Sequence, residues 1–179
     1  MTLSDLNALD RSAFVATLQA VFEHSPWIPA AVWLQRPFAS VEALHAALVA
    51  TMIDAPKEAQ LALIRAHPEL AGKAAVRGEL TPASSSEQSS AGLTQCSAEE
   101  FAQLQALNRA YNDKFGFPFI IAVKGVERSA LIARFSERLA RDPDREFGEA
   151  LRQIARIAYF RLETLLAECA GRPVPARRA

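Results

Sequence analysis

The chain has 179 residues, 19.5 kDa, 20 basic and 20 acidic side chains and a pI near 6.8, so it carries no net field suited to nucleic acid or an anionic membrane. Hydrophobic residues at 50% and charged residues at 22% lie in the globular range and exclude disorder. One domain over residues 1–179 is expected, since a globule of this size hides about 70% of its unfolded surface and needs no staples.

Two cysteines, Cys96 and Cys169, are too few for a disulfide framework and too far apart for a zinc site, so two reduced, buried thiols are expected. No apolar run approaches the ~18 residues of a membrane span. The polar start, Met1 to Asp10, is not that of a signal peptide, and the end, Ala176-Arg177-Arg178-Ala179, is not a peroxisomal tripeptide. A cytoplasmic location is expected.

In chain order, Asp10 is placed to cap a helix with Phe14, Val15, Leu18, Val21 and Phe22 on one face, broken at Ser25-Pro26-Trp27. A short helical turn over residues 28–35 ends before Pro37. Ser40 caps a helix carrying Val41, Leu44, Leu48 and Met52, and Pro56 opens the next, with Leu61 and Ile64. That helix stops near His67, because Pro68 disfavours the α conformation before it. Residues 69–94, with Gly72, Gly78, Pro82 and Ser84-Ser85-Ser86, read as a functional loop around a short helix. Ser97 and Glu100 form a capping box for a long helix through Phe101, Leu104, Leu107, Tyr111 and Phe115, stopped by Gly116. Residues 117–123 are apolar and interrupted by Pro118, hence extended. Leu131, Ile132, Phe135 and Leu139 mark another helix. The last starts at Asp142-Pro143 and runs to about Ala170, closing at Gly171, with a frayed tail over 171–179. Strand signals are nearly absent. The class is all-α, a compact single-domain bundle of roughly seven to nine helices.

There is no GxGxxG, Walker loop or HExxH, and the three histidines, His24, His45 and His67, are never within one helical turn of each other. That leaves acid–base chemistry with no metal, or plain binding. His67 stands where the helix ends and Pro68 fixes the exit, a placement that serves the helix dipole or aims an imidazole into a cleft. His45 shares a face with Val41, Leu48 and Met52, which suits a satisfied core histidine, and His24 belongs in solvent. Ser84-x-x-Glu87 fits a capping box, while a helix N-terminus there also offers N–H groups to an anion. Arg161 lies on the apolar stripe of the last helix, with Ile154, Ile157, Ala158 and Leu165, away from Glu149, Arg152, Gln153, Arg156 and Glu163. Facing inward, it needs an anion, either a buried Glu or a substrate carboxylate. The extended residues 117–123 have backbone groups with no helix to satisfy them.

Taken in order, these pieces resemble a known family. His67-Pro68-Glu69-Leu70-Ala71-Gly72-Lys73-Ala74-Ala75, Leu80-Thr81, Ser84-x-x-Glu87-Gln88 and Ala91-Gly92-Leu93 are similar to OHCU decarboxylase. So are Leu107-Asn108-x-x-Tyr111-x-x-Lys114-Phe115-Gly116-Phe117-Pro118-Phe119-Ile120, Val123-Lys124-Gly125 and Ile154-Ala155-x-Ile157-Ala158-x-x-Arg161-Leu162. The resemblance covers nearly the whole chain. It implies an all-helical homodimer, without metal or organic cofactor, that decarboxylates 2-oxo-4-hydroxy-4-carboxy-5-ureidoimidazoline to (S)-allantoin in urate breakdown. It implies His67 and Glu87 as catalytic residues. Substrate would be held by Pro68, Ser84, Gln88, Arg161 and the backbone of Phe119, Ile120, Ile121, Ala122 and Val123. The alternatives are a non-catalytic module binding a small purine-derived ligand or a partner helix, and an isomerase or hydrolase acting on a related ureide.

Overall fold

The computed structural model describes residues 1–167, which form ten α-helices, two 3-10 turns and, among those residues, no strand. Seven helices have eight residues or more and three are shorter, in keeping with the all-α class. Among the described residues no helix is long and apolar enough to cross a membrane. The expected end of the last helix near Gly171, the tail 171–179 and Cys169 lie outside the described residues.

Two units are distinguished. The first comprises Met1–Asp54 and, among the described residues, 158–167. It opens with α1 (Leu3–Ala8), a helix not foreseen from the polar N-terminus, which Thr2 and Asp5 close with a capping box. Asp10 caps α2 (Arg11–Leu18) by accepting from the Ala13 N–H at 2.8 Å, as its position implies. The helix stops at Leu18, short of the predicted stripe. Tight turns, Val21 N–H to Leu18 O and Ser25 N–H to Phe22 O, then keep Val21 and Phe22 buried without helical geometry. The turn ends at exposed His24, which takes a left-handed φ of 46°. Next come α3 (Trp27–Val32), a 3-10 turn over Trp33–Gln35 and α4 (Val41–Ile53), capped by Ser40 and burying Leu44, Leu48 and Met52 at intervals of four.

The second unit is Ala55–Ile157. It contains α5 (Lys57–Ala66), α6 (Lys73–Val76), α7 (Pro82–Ser90), a 3-10 turn at Leu93–Gln95, α8 (Ala98–Phe115), α9 (Arg128–Leu139) and the first part of α10 (Pro143–Ala167). Residues 69–94 are therefore more helical than a loop around one short helix. The Ser97–Glu100 capping box and the Gly116 stop, at φ 73°, are present as expected. Residues 117–123 lie outside any helix and are buried throughout. Their aromatic side chains anchor them: Phe119 stacks on Phe135 with centroids 3.9 Å apart, and Tyr111 meets Phe117, Phe119 and Phe135 edge-on. Full burial of each such ring contributes about 1.5–3 kcal/mol. Cys96 is half-buried, less enclosed than expected; it donates its thiol to the Leu93 carbonyl, and partial burial pushes that thiol's pKa up, so it is protonated at neutral pH.

Candidate active site

The end of α5 shapes the first candidate residue. In a regular helix the Leu63 carbonyl would receive the His67 N–H, but that N–H turns to the Ile64 carbonyl at 3.2 Å. The Leu63 carbonyl is met instead by the His67 ring, whose Nδ1 lies 2.9 Å away. A carbonyl only accepts, so Nδ1 carries the proton and Nε2 is the basic nitrogen. The ring is 6% exposed and its backbone is extended (φ −75°, ψ 138°), as Pro68 requires.

Immediately beyond, the chain bends sharply. Ala71 adopts φ 49°, unusual for any residue with a Cβ, and Gly72 follows against Glu69. A Cβ on Gly72 would lie 2.6 Å from Glu69 Cβ and 2.8 Å from Glu69 Oε2, so glycine is required by close approach. Gly72→Ala is expected to cost about 1–3 kcal/mol, as overpacking does, and to lower activity with it. Urea unfolding and turnover measured on the same preparation check this.

Helix α7 differs from the capping-box expectation. Its N-cap is Thr81, whose hydroxyl accepts from the Ser84 N–H at 3.3 Å, and Pro82 sits at the first position, where no N–H is needed. Ser84 is therefore inside the helix and buried, and its N–H already serves the cap instead of facing an anion. Glu87 falls in the last turn, half-buried, where a carboxylate opposes the helix dipole. Its position contributes nothing to capping. The capping-box reading of Glu87 therefore does not hold.

Gln88 reaches from α7 to the bend after His67. Its Oε1 accepts from the Ala71 N–H at 2.9 Å and its Nε2 donates to the Glu69 carbonyl at 3.1 Å. One amide hydrogen and one lone pair remain beyond these bonds. Thus α7 and the His67 loop are joined through Gln88. Residues 119–123 are held by other side chains. The Ala122 N–H donates to Gln153 Oε1 at 3.0 Å, and the Ile120 carbonyl accepts from Arg138 Nη1 at 2.7 Å. Part of that backbone is thereby satisfied from within the protein.

Arg138 and Glu146 belong to no motif in the sequence, and the stripe of the last helix puts Gln153 on the wet face, yet Gln153 is only 9% exposed. Spacing carried the signal. Glu146 precedes buried Ala150 by four, Gln153 follows it by three, and Arg138 follows buried Phe135 by three. Tyr111 and Arg138 both donate to Glu146 Oε1, and the Arg138 guanidinium lies 4.4 Å from the Phe119 ring centroid. Burial, followed by the bond to Glu146, pushes the Tyr111 phenol above its usual range.

Arg161 belongs to the first unit and is buried, as its stripe position implies. Nη2 lies 3.0 Å from Glu23 Oε1 and Nη1 donates to the Ala20 carbonyl at 3.0 Å. The buried glutamate foreseen as one possible partner is thus Glu23. His45 is half-buried and edge-on to Tyr159 at 5.3 Å, a packing role. Among the described residues no three His, Cys, Asp or Glu side chains are grouped as a metal site requires. A cavity of about 480 Å³ is lined by Ala71, Leu80, Gln88, Cys96 and Phe101 among others, and neither His67 nor Glu87 borders it.

A helical scaffold with a buried imidazole of defined tautomer at a helix end carries a candidate group for acid–base chemistry. Residues 7–163 match the family model for OHCU decarboxylase, and the chain belongs to that family. It is 39% identical over 165 residues to a 2-oxo-4-hydroxy-4-carboxy-5-ureidoimidazoline decarboxylase of Halalkalicoccus jeotgali, covering 92% of each chain. The protein of the same name in Mus musculus is 37% identical over 166 residues, 93% of each. Among solved structures it resembles an (S)-allantoin synthase at TM-score 0.76 and 26% identity, covering 93% of this chain and about half (54%) of that one. It also resembles an OHCU decarboxylase crystallised in the presence of (S)-allantoin, at TM-score 0.68 and 26% identity, over 84% of this chain and 98% of the other.

Proposed function

We propose that the chain catalyses the cofactor-free decarboxylation of 2-oxo-4-hydroxy-4-carboxy-5-ureidoimidazoline to (S)-allantoin and CO2 in urate degradation. The observation that carries this is the family match over residues 7–163, in which His67 is a buried imidazole with its basic Nε2 defined by the Leu63 bond. The substrate brings its own electron sink. The carbon that loses CO2 adjoins a C=N bond, which takes the electron pair as the C–C bond breaks and whose nitrogen is protonated. An enol results. Its hydroxyl proton leaves as the ketone forms, and a proton reaches the ureido-bearing carbon from one face. His67 and Glu87 divide these last two transfers, with His67 at the hydroxyl and carboxylate end. Pro68, Ser84, Gln88 and the backbone of residues 119–123 hold the substrate. Orienting the carboxylate out of the ring plane lets the breaking bond overlap the C=N system. The working form is a homodimer in the cytoplasm, with no nucleic-acid or membrane partner.

Urate oxidised in the presence of the coupled hydrolase supplies the short-lived substrate. With the protein added, circular dichroism is expected to report chiral allantoin, and substrate labelled in the carboxylate is expected to release labelled CO2. A binding module would give neither, and an isomerase or hydrolase would release no CO2. Glu87→Gln, keeping shape but not the acid, is expected to slow chiral product by about 10²-fold. Full-rate chiral product from that variant refutes the assignment.

A further inference from the structure

The bend that follows His67 is held by side-chain amides. Gln105, Asn108 and Asn112 stand at intervals of three and four on α8, which places them on one face. Gln105 Nε2 donates to the Ala71 carbonyl at 2.7 Å, Asn108 Nδ2 to the Leu70 carbonyl at 3.0 Å and Asn112 Nδ2 to Glu69 Oε1 at 2.6 Å. From α7, Gln88 takes the Glu69 carbonyl and the Ala71 N–H. All three carbonyls of residues 69–71 are thus taken by amide side chains, in a stretch with neither helix nor sheet to satisfy them.

We infer that this amide clamp is a positioning device for the reaction: it holds the left-handed bend at Ala71 and thereby sets the direction of the His67 imidazole. The inference rests on His67 being catalytic. Only Pro68, whose φ is fixed by its ring, separates His67 from clamped Glu69, and the imidazole is tied at its other side to Leu63. The ring is bracketed from both ends. Ala71 resists its left-handed conformation, so the bend persists only while its partners hold it. Amides suit this role because they do not titrate and carry no charge. The bonds from Gln88, Gln105 and Asn108 to the three backbone carbonyls therefore hold as the pH varies.

Gln105, Asn108 and Asn112 are positioning residues, acting through His67. Gln105→Leu in the full chain is expected to lower kcat about tenfold, since small displacements of a reacting group are costly. KM should stay within about twofold and the pH profile should not move, as for an interaction felt only in the transition state. Adding Ala71→Gly should recover most of the loss, because glycine takes a positive φ without strain. Asn112→Leu, which cuts the opposite end of the clamp, should lower kcat in the same way and serves if Gln105→Leu is unstable. Unchanged kcat in both single variants overturns the clamp, as does a loss that Ala71→Gly fails to recover. His67→Asn separates the two readings: if it retains full activity, the catalytic role of His67 and the clamp fall together. If it is inactive while the clamp variants are unaffected, only the clamp falls.

Discussion

His67→Asn is expected to lower decarboxylation by about 10²–10⁴-fold while leaving the fold intact. The imidazole does two things that this substitution separates. Its Nδ1–H satisfies the Leu63 carbonyl, an acceptor left over at the end of α5. Its Nε2 is the group capable of taking and returning a proton. Asparagine offers an amide N–H close to the Nδ1 position and keeps the helix-end bond, but it has no basic nitrogen. His67→Ala removes both. The two variants should therefore be similarly inactive and differ in stability by about 1 kcal/mol, the net worth of one hydrogen bond in a buried setting. Chiral allantoin formation followed by circular dichroism, beside urea unfolding of each protein, checks both halves. Wild-type turnover by His67→Asn would mean that the imidazole only finishes the helix.

Glu146→Ala is expected to be the most destabilising single change in the second unit, at about 3–5 kcal/mol. Glu146 is fully buried and accepts from Tyr111 and Arg138, with Arg141 Nη1 3.8 Å away. Removing it leaves the Arg138 guanidinium, itself almost wholly enclosed, as a charge without its counter-ion. For a chain of this size each kcal/mol shifts Tm by about 2–4 °C, so a fall of roughly 6–20 °C is expected. Replacing both partners, Arg138→Met with Glu146→Leu, should cost much less than the sum of the single changes, because no buried charge is orphaned. It should still impair turnover, since Arg138 also holds the Ile120 carbonyl. Urea denaturation of the four proteins in this cycle tests the argument. Additive losses would place the destabilisation in packing rather than charge.

Local grammar accounts for much of what was legible beforehand. Asp10, Ser40 and Ser97 cap helices where their side chains predict, and Gly116 ends α8, because a cap depends on three or four consecutive residues and little else. The same grammar failed at Ser84. Thr81 with Pro82 starts α7 three residues earlier, and only the chain's path shows which of two hydroxyl residues meets the first N–H groups. Arg161 was legible as a buried cation from its stripe, yet its partner Glu23 lies 138 residues away along the chain. Spacing alone does not identify such a partner.

The sequence by itself determined the helical class, most helix boundaries and the family, and it singled out His67 and Glu87 as the candidates for the chemistry. Periodicity, caps and motif order are properties of neighbours along the chain. Only the tertiary structure decided which nitrogen of His67 carries the proton, that Glu87 is released from capping, and that amides from two helices hold the bend behind the imidazole. Each of those depends on a hydrogen bond whose partner is set by how the backbone turns or packs. A bond of that kind needs its two groups within about 3 Å, a condition that packing alone imposes.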